Sequence, residues 1–234
     1  MAEVSVIIPS YNSKRWIVKL LREILKQKNI AKIIIVDDNS PDRTANLIKK
    51  TFGKNHKVKL IVRKGKGGRG SAVIEGFMQG LKNKENKFFI EMDSDFAHDP
   101  KDIPKFLTKI KTCDAVFGSR YLINGGTLNY NFARRTFSFL ANNFISFLLG
   151  INITDYTSGF RCYRRRTLES IDLSSIRSHG FITLSEIAYK IHKRDLKIGE
   201  IPIKVTYLKE RESNFNLGEI TDALVGIIRI RMGV

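Results

Sequence analysis

Residues 4–36, VSVIIPSYNSKRWIVKLLREILKQKNIAKIIIV, contain two short β-branched stretches separated by a longer stretch whose apolar residues have helical spacing. Residues 4–9 and 32–36 are apolar on both faces, which is typical of strands buried inside a parallel sheet. Residues 14–27 have the helical spacing. This order predicts a β-α-β unit with parallel strands.

The same alternation continues to residue 92. Further helices are predicted over residues 42–50 and 71–82, and further strands over residues 58–62 and 87–92. The predicted fold class is therefore α/β, with a doubly wound, mostly parallel sheet and helices on both faces. Ligands of such sheets bind at the carboxyl ends of the strands, so the polar clusters that follow the four strands are expected at one rim.

After residue 96 the pattern is less regular. Helices are predicted over residues 102–111, 133–149, 183–193 and 217–232, strands over residues 115–119 and 198–207, and turns over residues 124–127 and 158–159. The sequence contains no internal repeat or linker. We expect a single domain over residues 1–234, with a nucleotide-binding half over residues 1–96 and an acceptor-binding half over residues 97–234.

The excess of positive charge indicates an anionic partner. The 234 residues include 41 Lys and Arg against 23 Asp and Glu, a net charge of +18, which favours a nucleic acid, an acidic membrane surface or a phosphate-rich ligand. No apolar run reaches ~18 residues, so a transmembrane helix is not expected. Cys113 and Cys162 form no CxxC pair and the first residues lack a secretory pattern, so we expect a reducing, cytoplasmic location.

Two aspartates, Asp93 and Asp95, follow the fourth predicted strand. Both side chains can turn toward the rim where the strand ends. Mg²⁺ and Mn²⁺ are bound by one or two carboxylates together with substrate phosphates, so this pair favours a divalent-metal site over two solvated loop acids. His98 is close enough in sequence to be a third ligand, although a surface histidine is the simpler interpretation.

A glycine-rich basic loop, residues 63–70 (RKGKGGRG), follows the third strand. Glycines let main-chain amides approach an anion, and the following helix N-terminus adds a favourable field, so the loop is predicted to face a phosphate rather than only solvent. Residues 65–70 also match G-x-G-x-x-G, with Glu91 about twenty residues further on, which leaves an NAD(P)-dependent oxidoreductase as an alternative. That pattern normally follows the first strand, which weighs against this alternative.

Residues 37–42 (DDNSPD) follow the second strand. The carboxylates of Asp37 and Asp38 can hold a ribose diol or a base edge. The same segment can form a turn and a helix cap, with Ser40 or Asp42 as the cap. Both interpretations can hold together.

Several motifs, in this order and spacing, resemble the inverting family 2 glycosyltransferases. Together they are most similar to the dolichyl-phosphate mannose synthases and related polyprenyl-phosphate glycosyltransferases. The motifs are residues 9–12 (PSYN), 36–44 (VDDNSPDRT), 63–70, 92–95 (MDSD), 118–121 (GSRY), the pair Arg134 and Arg135, and residues 155–160 (DYTSGF). The resemblance covers almost the whole chain.

The resemblance implies a GT-A fold and a nucleotide-sugar donor. It implies that Asp93 and Asp95 bind Mg²⁺ or Mn²⁺, and that Asp95 and Arg120 are catalytic. The nucleotide sugar is expected to contact Pro9, Tyr11, Val36, Asp38, Lys66, Asp93, Ser94, Asp95, Arg120 and Arg211. The acceptor phosphate is expected to contact Arg134, Arg135 and Ser138.

Three positions depart from the family pattern. Ser13 stands where the family usually has Glu, and Ala97 where it often has Gln. Residues 209–214 (KERESN) replace the family's Arg-x-x-Gly-x-Ser-Lys stretch, so Arg211 or Lys209 is expected to supply the phosphate charge. A catalytically inactive membrane-recruitment protein is an alternative if these changes disable turnover.

A polyprenyl-phosphate acceptor accounts for the excess of arginine. A phosphomonoester is already ionised near pH 7, so it attacks the sugar carbon without a general base, and the protein has mainly to position it and balance charge. The candidate arginines are Arg120, Arg134, Arg135, Arg161, Arg164, Arg165 and Arg166, of which the first three are favoured.

Two predicted helices are candidates for a membrane contact. Residues 132–149 are aromatic-rich and open with two arginines, with core packing as the alternative, and residues 220–232 are too short and too charged to span a bilayer. We expect a peripheral contact with a membrane or with a membrane-anchoring protein subunit, because family relatives have either extra transmembrane helices or separate membrane subunits.

The sequence therefore predicts an inverting, metal-dependent transfer of a hexose, mannose from GDP-mannose, to dolichyl or another polyprenyl phosphate at the cytosolic face of a membrane. The alternatives within the family are UDP-glucose as the donor and a sugar or protein acceptor. No nucleic acid is expected as a partner, because the basic residues are scattered and no helix-turn-helix, RNP or zinc pattern occurs.

Overall fold

The structure is a computed structural model that describes residues 3–128, 132–178, 180–206 and 217–232. For residues 132–135, 137 and 217–224 it describes the main chain only.

The first half of the chain alternates strands and helices, and every element predicted there is present with bounds that shift by a few residues. All of β1 is buried, in keeping with its apolar character on both faces. The elements are β1 (Val4–Ser10), α1 (Ile17–Leu25), β2 (Ile30–Asp37), α2 (Thr44–Phe52), β3 (Val58–Val62), α3 (Arg69–Leu81) and β4 (Phe88–Glu91).

The second half is less regular. Short 3₁₀ turns flank α4 at Pro100–Asp102 and Ile110–Thr112, and a third lies at Leu173–Ser175. The elements are α4 (Ile103–Lys109), β5 (Ala115–Ser119), β6 (Gly126–Leu128), α5 (Phe132–Leu149), β7 (Arg161–Arg164), α6 (Arg165–Ser170), α7 (Ile182–His192), β8 (Ile198–Pro202), β9 (Lys204–Thr206) and α8 (Leu217–Met232).

Seven strands form one sheet in the order β3-β2-β1-β4-β7-β5-β8. Strand β7 runs antiparallel to its neighbours β4 and β5, and the other neighbouring pairs are parallel. Strands β6 and β9 form a small separate parallel sheet. The predicted mostly parallel sheet is confirmed.

Two hydrophobic cores lie on opposite faces of the large sheet. Strand β1 contributes to both, because its side chains alternate between the faces: Val6 and Ile8 belong to one core, and Ile7 belongs to the other. The first core includes α1 and α4, and the second includes α3, α5, α7 and α8. Helices therefore cover both faces, as predicted.

The predicted strand over residues 198–207 is wrong in its extent. The chain leaves the large sheet at Pro202, which has no N–H to continue the ladder, and enters the small sheet at Lys204. Ile203 joins the two sheets, because its N–H donates to the Ser119 carbonyl and its carbonyl accepts from Gly126. Tyr207 lies outside the described residues.

Three elements are absent from the prediction. Strand β6 takes up part of the predicted glycine-rich turn, and β7 and α6 form from the charged segment 161–170. In the parts of the chain that the structure describes, no helix combines the length and apolar character needed to cross a membrane.

Candidate active site

The carboxyl ends of β1, β2 and β4 meet at one edge of the sheet. Ser10 pairs with Asp37, and Ile7 pairs with Glu91, so the loops that follow these strands start side by side. The predicted convergence of the polar clusters that follow these three strands is therefore present in the structure.

Asp37 stabilises the turn that follows β2. Its carboxylate is fully buried and accepts hydrogen bonds from Ser10 Oγ at 3.0 Å and from the Ser40 N–H and Oγ at 2.9 and 2.7 Å. Asp42 accepts from the N–H and Oγ1 of Thr44, the first residue of α2. The turn interpretation of this segment thus holds for Asp37 and Asp42.

Asp38 anchors the basic loop. Its buried carboxylate accepts from Arg63 Nη1 and from the Gly68 N–H, each at 2.8 Å. Gly68 has φ +87°, a conformation that favours glycine, and it directly precedes α3. Asp38 lies at the predicted rim and shapes the loop there.

Other residues predicted to contact the nucleotide lie at the same edge. Lys66 Nζ lies 4.5 Å from the centroid of the exposed Tyr11 ring, a cation–π contact. Val36 is fully buried in the core and Pro9 is buried too, so either residue offers a ligand its main chain rather than its side chain.

Asp93 and Asp95 follow β4 and are both partly exposed. Asp93 Oδ1 accepts from Arg69 Nε at 2.9 Å, and Asp95 Oδ1 accepts from the Ala97 N–H at 2.9 Å. Phe96, between Asp95 and Ala97, has φ +63°, which marks a sharp turn of this loop.

Ser94 occupies the position between the two carboxylates and is buried. Its Oγ lies 2.6 Å from Oγ of Ser13, the residue that replaces the family's Glu. This contact ties the loop after β1 to the loop after β4.

The donor set fits a divalent metal that takes its remaining ligands from a substrate. Among the residues that the structure describes, no group of three or more His, Cys, Asp or Glu could hold a metal ion. Two partly exposed carboxylates suit Mg²⁺ or Mn²⁺, since these ions keep open positions for phosphate oxygens and water.

His98 is buried, so its interpretation as a surface histidine is wrong. The ring stacks on Phe160 with centroids 5.1 Å apart, and Nδ1 accepts from the Asp93 N–H at 3.4 Å. Nδ1 is therefore turned toward the main chain of the loop that follows β4.

The loop over residues 155–160 lies between the end of β4 and the end of β5. A Cβ at Gly159 of this loop would lie 3.1 Å from Asp93 Oδ1, and Asp155 of the same loop accepts from Arg120 Nε at 2.7 Å. Burial lowers the pKa of the neighbouring His98. The predicted metal ligands and Arg120 therefore border the same loop.

Arg120 follows β5 and forms a buried ion pair with Asp155. Arg120 Nε and Nη2 lie 2.7 and 2.8 Å from the two Asp155 carboxylate oxygens, and Nη2 also donates to Thr157 Oγ1 at 2.6 Å. Burial opposes ionisation of Asp155. The charge and hydrogen bonds of Arg120, together with the Thr157 N–H, outweigh burial, so the pKa of Asp155 lies below its usual value.

Ser138 lies on α5, facing Tyr121. Its Oγ is 2.9 Å from the Tyr121 hydroxyl, and Asn142, one turn further along, donates to the Ser138 carbonyl at 2.8 Å. The side chains of Arg134 and Arg135, in the first turn of α5, and the whole of Arg211 lie outside what the structure describes.

The remaining candidate arginines bind other parts of the protein. Arg161 is fully buried, donates to the carbonyls of Ser158, Leu184 and Tyr156, and stacks on Phe117.

Arg164, Arg165 and Arg166 likewise have partners within the fold. Arg164 and Arg165 donate to main-chain carbonyls of neighbouring loops, and Arg166 pairs with Asp114. We therefore do not count these four arginines among the phosphate ligands. Arg161 is completely buried, and Arg164 pairs with Phe88 at the end of β4 opposite to Asp93, with Arg165 and Arg166 directly after it.

Sequence reasoning missed the pairing of Arg69 with Glu91. The sequence places Arg69 in the basic loop, yet its guanidinium points to the end of β4, with Nη1 2.8 Å from Glu91 Oε1. The available signal was Glu91 itself, a single acid in an otherwise apolar strand, because a buried carboxylate needs a partner.

Comparisons with known proteins agree with this architecture. The family described as "Glycosyl transferase family 2" matches residues 5–172. A curated relative from Micrococcus luteus, "Undecaprenyl-phosphate mannosyltransferase", is 31% identical and covers 97% of this chain and 93% of its own. "Polyprenol monophosphomannose synthase" from Mycolicibacterium smegmatis is 32% identical and covers 94% of this chain and 83% of its own.

Solved structures show the same fold. Glucosyl-3-phosphoglycerate synthase from Mycobacterium tuberculosis, in complex with Mn²⁺ and UDP-glucose, matches with a TM-score of 0.71 at 17% identity, over 100% of this chain and 80% of that chain. The same enzyme in complex with phosphoglyceric acid gives a TM-score of 0.70 at 18% identity, over 100% and 81%. At these identities the likeness concerns the fold alone.

Proposed function

The chain belongs to glycosyl transferase family 2, and from this premise we propose that it transfers mannose from GDP-mannose to a polyprenyl phosphate, with inversion at the sugar carbon. The observation that carries the proposal is the pair Asp93 and Asp95 at the carboxyl edge of the sheet, next to the loop over residues 155–160 that also binds Arg120. The two mannosyltransferase relatives support the choice of sugar and of acceptor class.

On the donor side, Asp93 and Asp95 hold Mg²⁺ or Mn²⁺. Such an ion, when bound, supplies positive charge to the diphosphate that leaves with the nucleotide. Lys66 and Tyr11 contact the nucleotide from the basic loop and the loop after β1, and Asp38 holds the basic loop in place. Ser94 and Arg211 stay predicted contacts of the nucleotide sugar. The donor half of the proposed single domain covers residues 1–96.

On the acceptor side, Arg120 binds the phosphate of the polyprenyl chain together with Arg134, Arg135 and Ser138. Asp155 fixes the Arg120 guanidinium in place, so the cation is oriented before the acceptor arrives. The acceptor phosphate carries its own negative charge near pH 7, so the site needs cations and positioning rather than a general base.

An apolar surface on α5 and α8 supports docking at the cytosolic face of a membrane or on a membrane-anchoring subunit. The two helices pack against each other, with Ile145, Leu149, Ile227 and Ile230 buried. On their outer side, Phe139, Leu140, Phe144 and Phe147 of α5 and Val225, Ile228 and Met232 of α8 are exposed. Arg229 and Arg231 of α8 are exposed too, as expected for a helix that meets anionic lipid.

Calorimetry with purified protein tests the donor. GDP-mannose, UDP-glucose and NADH are titrated in turn with Mn²⁺ and then with EDTA, and metal-dependent binding of GDP-mannose is expected. Binding of UDP-glucose in its place would change the sugar but keep the family chemistry. NADH binding that ignores EDTA would contradict the proposal in favour of an oxidoreductase.

Transfer of labelled mannose to an extractable polyprenyl phosphate tests the reaction. Undecaprenyl and dolichyl phosphate are compared with free phosphate and with the corresponding unphosphorylated alcohol as controls. Labelled product with the lipid phosphates alone is expected. Transfer to the alcohol at the same rate would contradict a phosphate acceptor.

A further inference from the structure

The guanidinium of Arg69 lies between two carboxylates at the end of β4. Arg69 is the first residue of α3, its Nε donates to Asp93 Oδ1 at 2.9 Å, and its Nη1 lies 2.8 Å from Glu91 Oε1. One of its anionic neighbours is therefore a proposed metal ligand.

The guanidinium is packed against residues of two other segments. Gly159 packs directly against it, so closely that a Cβ at Gly159 would overlap Nη2. The Phe181 ring covers it from another side, with its centroid 5.6 Å from the guanidinium carbon. The side chain thus holds a fixed positive charge beside Asp93.

The charge of Arg69 acts on both carboxylates, of which Asp93 is the accessible one. Burial disfavours the charged guanidinium, but the charges of Asp93 and Glu91 outweigh burial and hold the pKa of Arg69 above its usual range. Glu91 is completely buried, and burial raises its pKa, whereas Asp93 is 24% exposed. Asp93 is consequently the accessible carboxylate of the three-residue cluster.

A divalent cation that approaches Asp93 meets this fixed guanidinium. The two cations repel each other, and the carboxylate oxygen that bonds Arg69 Nε is already engaged. A diphosphate adds negative charge beside both cations and relieves the repulsion. Metal and diphosphate should therefore strengthen each other's binding, by the same factor in both directions.

We propose that Arg69 is a positioning residue that acts as a built-in counter-cation to Asp93 and weakens metal binding until the diphosphate of the donor is present. The proposal rests on the function proposed above, since it assumes a metal at Asp93. It assigns Glu91 and Gly159 the task of keeping the guanidinium in place.

Mn²⁺ binding tests the role of Arg69 and does not depend on catalysis. The amount of free Mn²⁺ is measured by its electron paramagnetic resonance signal. Arg69→Met removes the charge, and Arg69→Lys keeps it. Arg166→Met removes one charge from an exposed pair with Asp114, far from the end of β4 in the sheet, and is the matched control. Each protein is measured without and with GDP.

Without GDP, Arg69→Met is expected to bind Mn²⁺ on the order of tenfold more tightly than the unaltered protein. Arg69→Lys and Arg166→Met should stay close to the unaltered protein. GDP should raise the Mn²⁺ affinity of the unaltered protein by a larger factor than that of Arg69→Met. Unchanged or weaker Mn²⁺ binding by Arg69→Met would overturn the proposal.

Arg69→Met leaves Glu91 without its counter-ion, so the double variant Arg69→Met with Glu91→Gln is measured as well. It removes one charge of each sign from the buried cluster, so Mn²⁺ is expected to bind more tightly than to the unaltered protein but less tightly than to Arg69→Met, because Glu91 no longer attracts the ion. Asp93→Asn distinguishes the role of Arg69 from the proposed metal site itself. Loss of Mn²⁺ binding in Asp93→Asn with no effect of Arg69→Met refutes only the role of Arg69, whereas unchanged Mn²⁺ binding in Asp93→Asn refutes the metal site of the proposed function too.

Discussion

Arg120 and Asp155 form a two-point ion pair that is buried on both sides, with 2.7 Å between Arg120 Nε and Asp155 Oδ2 and 2.8 Å between Nη2 and Oδ1. Removing one partner of such a pair leaves a buried charge without compensation. Asp155→Asn is expected to lower the free energy of unfolding by about 3 kcal/mol, measured by urea denaturation.

Glu169→Gln is the control for this prediction. Glu169 pairs with Arg165 one helical turn away, and its side chain is 51% exposed, so the loss should stay below about 0.5 kcal/mol. An equal decrease in unfolding free energy in the two variants would show that the Arg120–Asp155 pair stabilises the fold no more than an exposed ion pair does.

The same pair predicts a pH dependence of stability. The pKa of Asp155 is lowered in the folded protein, so its contribution is fully present above the ordinary value of 3.8 and is lost as the pH falls below it. The difference in unfolding free energy between the unaltered protein and Asp155→Asn should be constant above about pH 5 and shrink at lower pH. A difference that instead grows on acidification would contradict this assignment.

Asp93 and Asp95, the two carboxylates that follow β4, are predicted to be required for mannose transfer. Asp93→Asn and Asp95→Asn remove charge from the proposed metal site, and mannose transfer is expected to fall on the order of a hundredfold or more. Asp99→Asn is the matched control, because Asp99 is exposed in the same loop and caps the following 3₁₀ turn, a task that Asn also performs. Full activity in either of the first two variants would remove that residue from the proposed metal site.

The regular half of the fold could be predicted because its signals are local. Strands such as β1 and β2 are apolar on both faces, and α1 buries Ile17, Leu20 and Ile24 at helical spacing. The parallel sheet and the convergence of β1, β2 and β4 at one edge follow from the alternation of these elements.

The antiparallel strand β7 could not be predicted in the same way, because its sequence is Arg-Cys-Tyr-Arg. Arg161 is completely buried there, and nearby carbonyls, including that of the distant Leu184, stabilise it together with the Phe117 ring. The positions of Asp93, Asp95 and Arg120 at the site followed from motifs. Their partners did not, because the pairing of charges across the sheet is decided by the packing of segments distant in sequence.

Replacing Gly159 by alanine is predicted to destabilise the fold. A Cβ there would overlap Arg69 Nη2 and lie 3.1 Å from Asp93 Oδ1, so Gly159→Ala should lower the unfolding free energy by about 1–3 kcal/mol. Gly65→Ala is the control, since a Cβ at Gly65 meets nothing within 4 Å and no loss of stability is expected. Similar thermal denaturation midpoints for Gly159→Ala and the unaltered protein would show that Arg69 and Asp93 move aside with no loss of stability.

The exposed apolar surface of α5 and α8 leads to the last prediction. Phe147 is 84% exposed on the outer side of α5, and a phenylalanine that inserts into the interface of a bilayer gains from the burial of its apolar surface. Phe147→Glu should reduce binding to phosphatidylcholine vesicles containing phosphatidylglycerol by about tenfold or more in a sedimentation assay. Met78→Glu, which places the same charge at a residue 47% exposed on α3, should bind the vesicles like the unaltered protein. Equal binding by Phe147→Glu and Met78→Glu would mean that this surface does not meet lipid directly, and would leave a membrane-anchoring subunit as its partner.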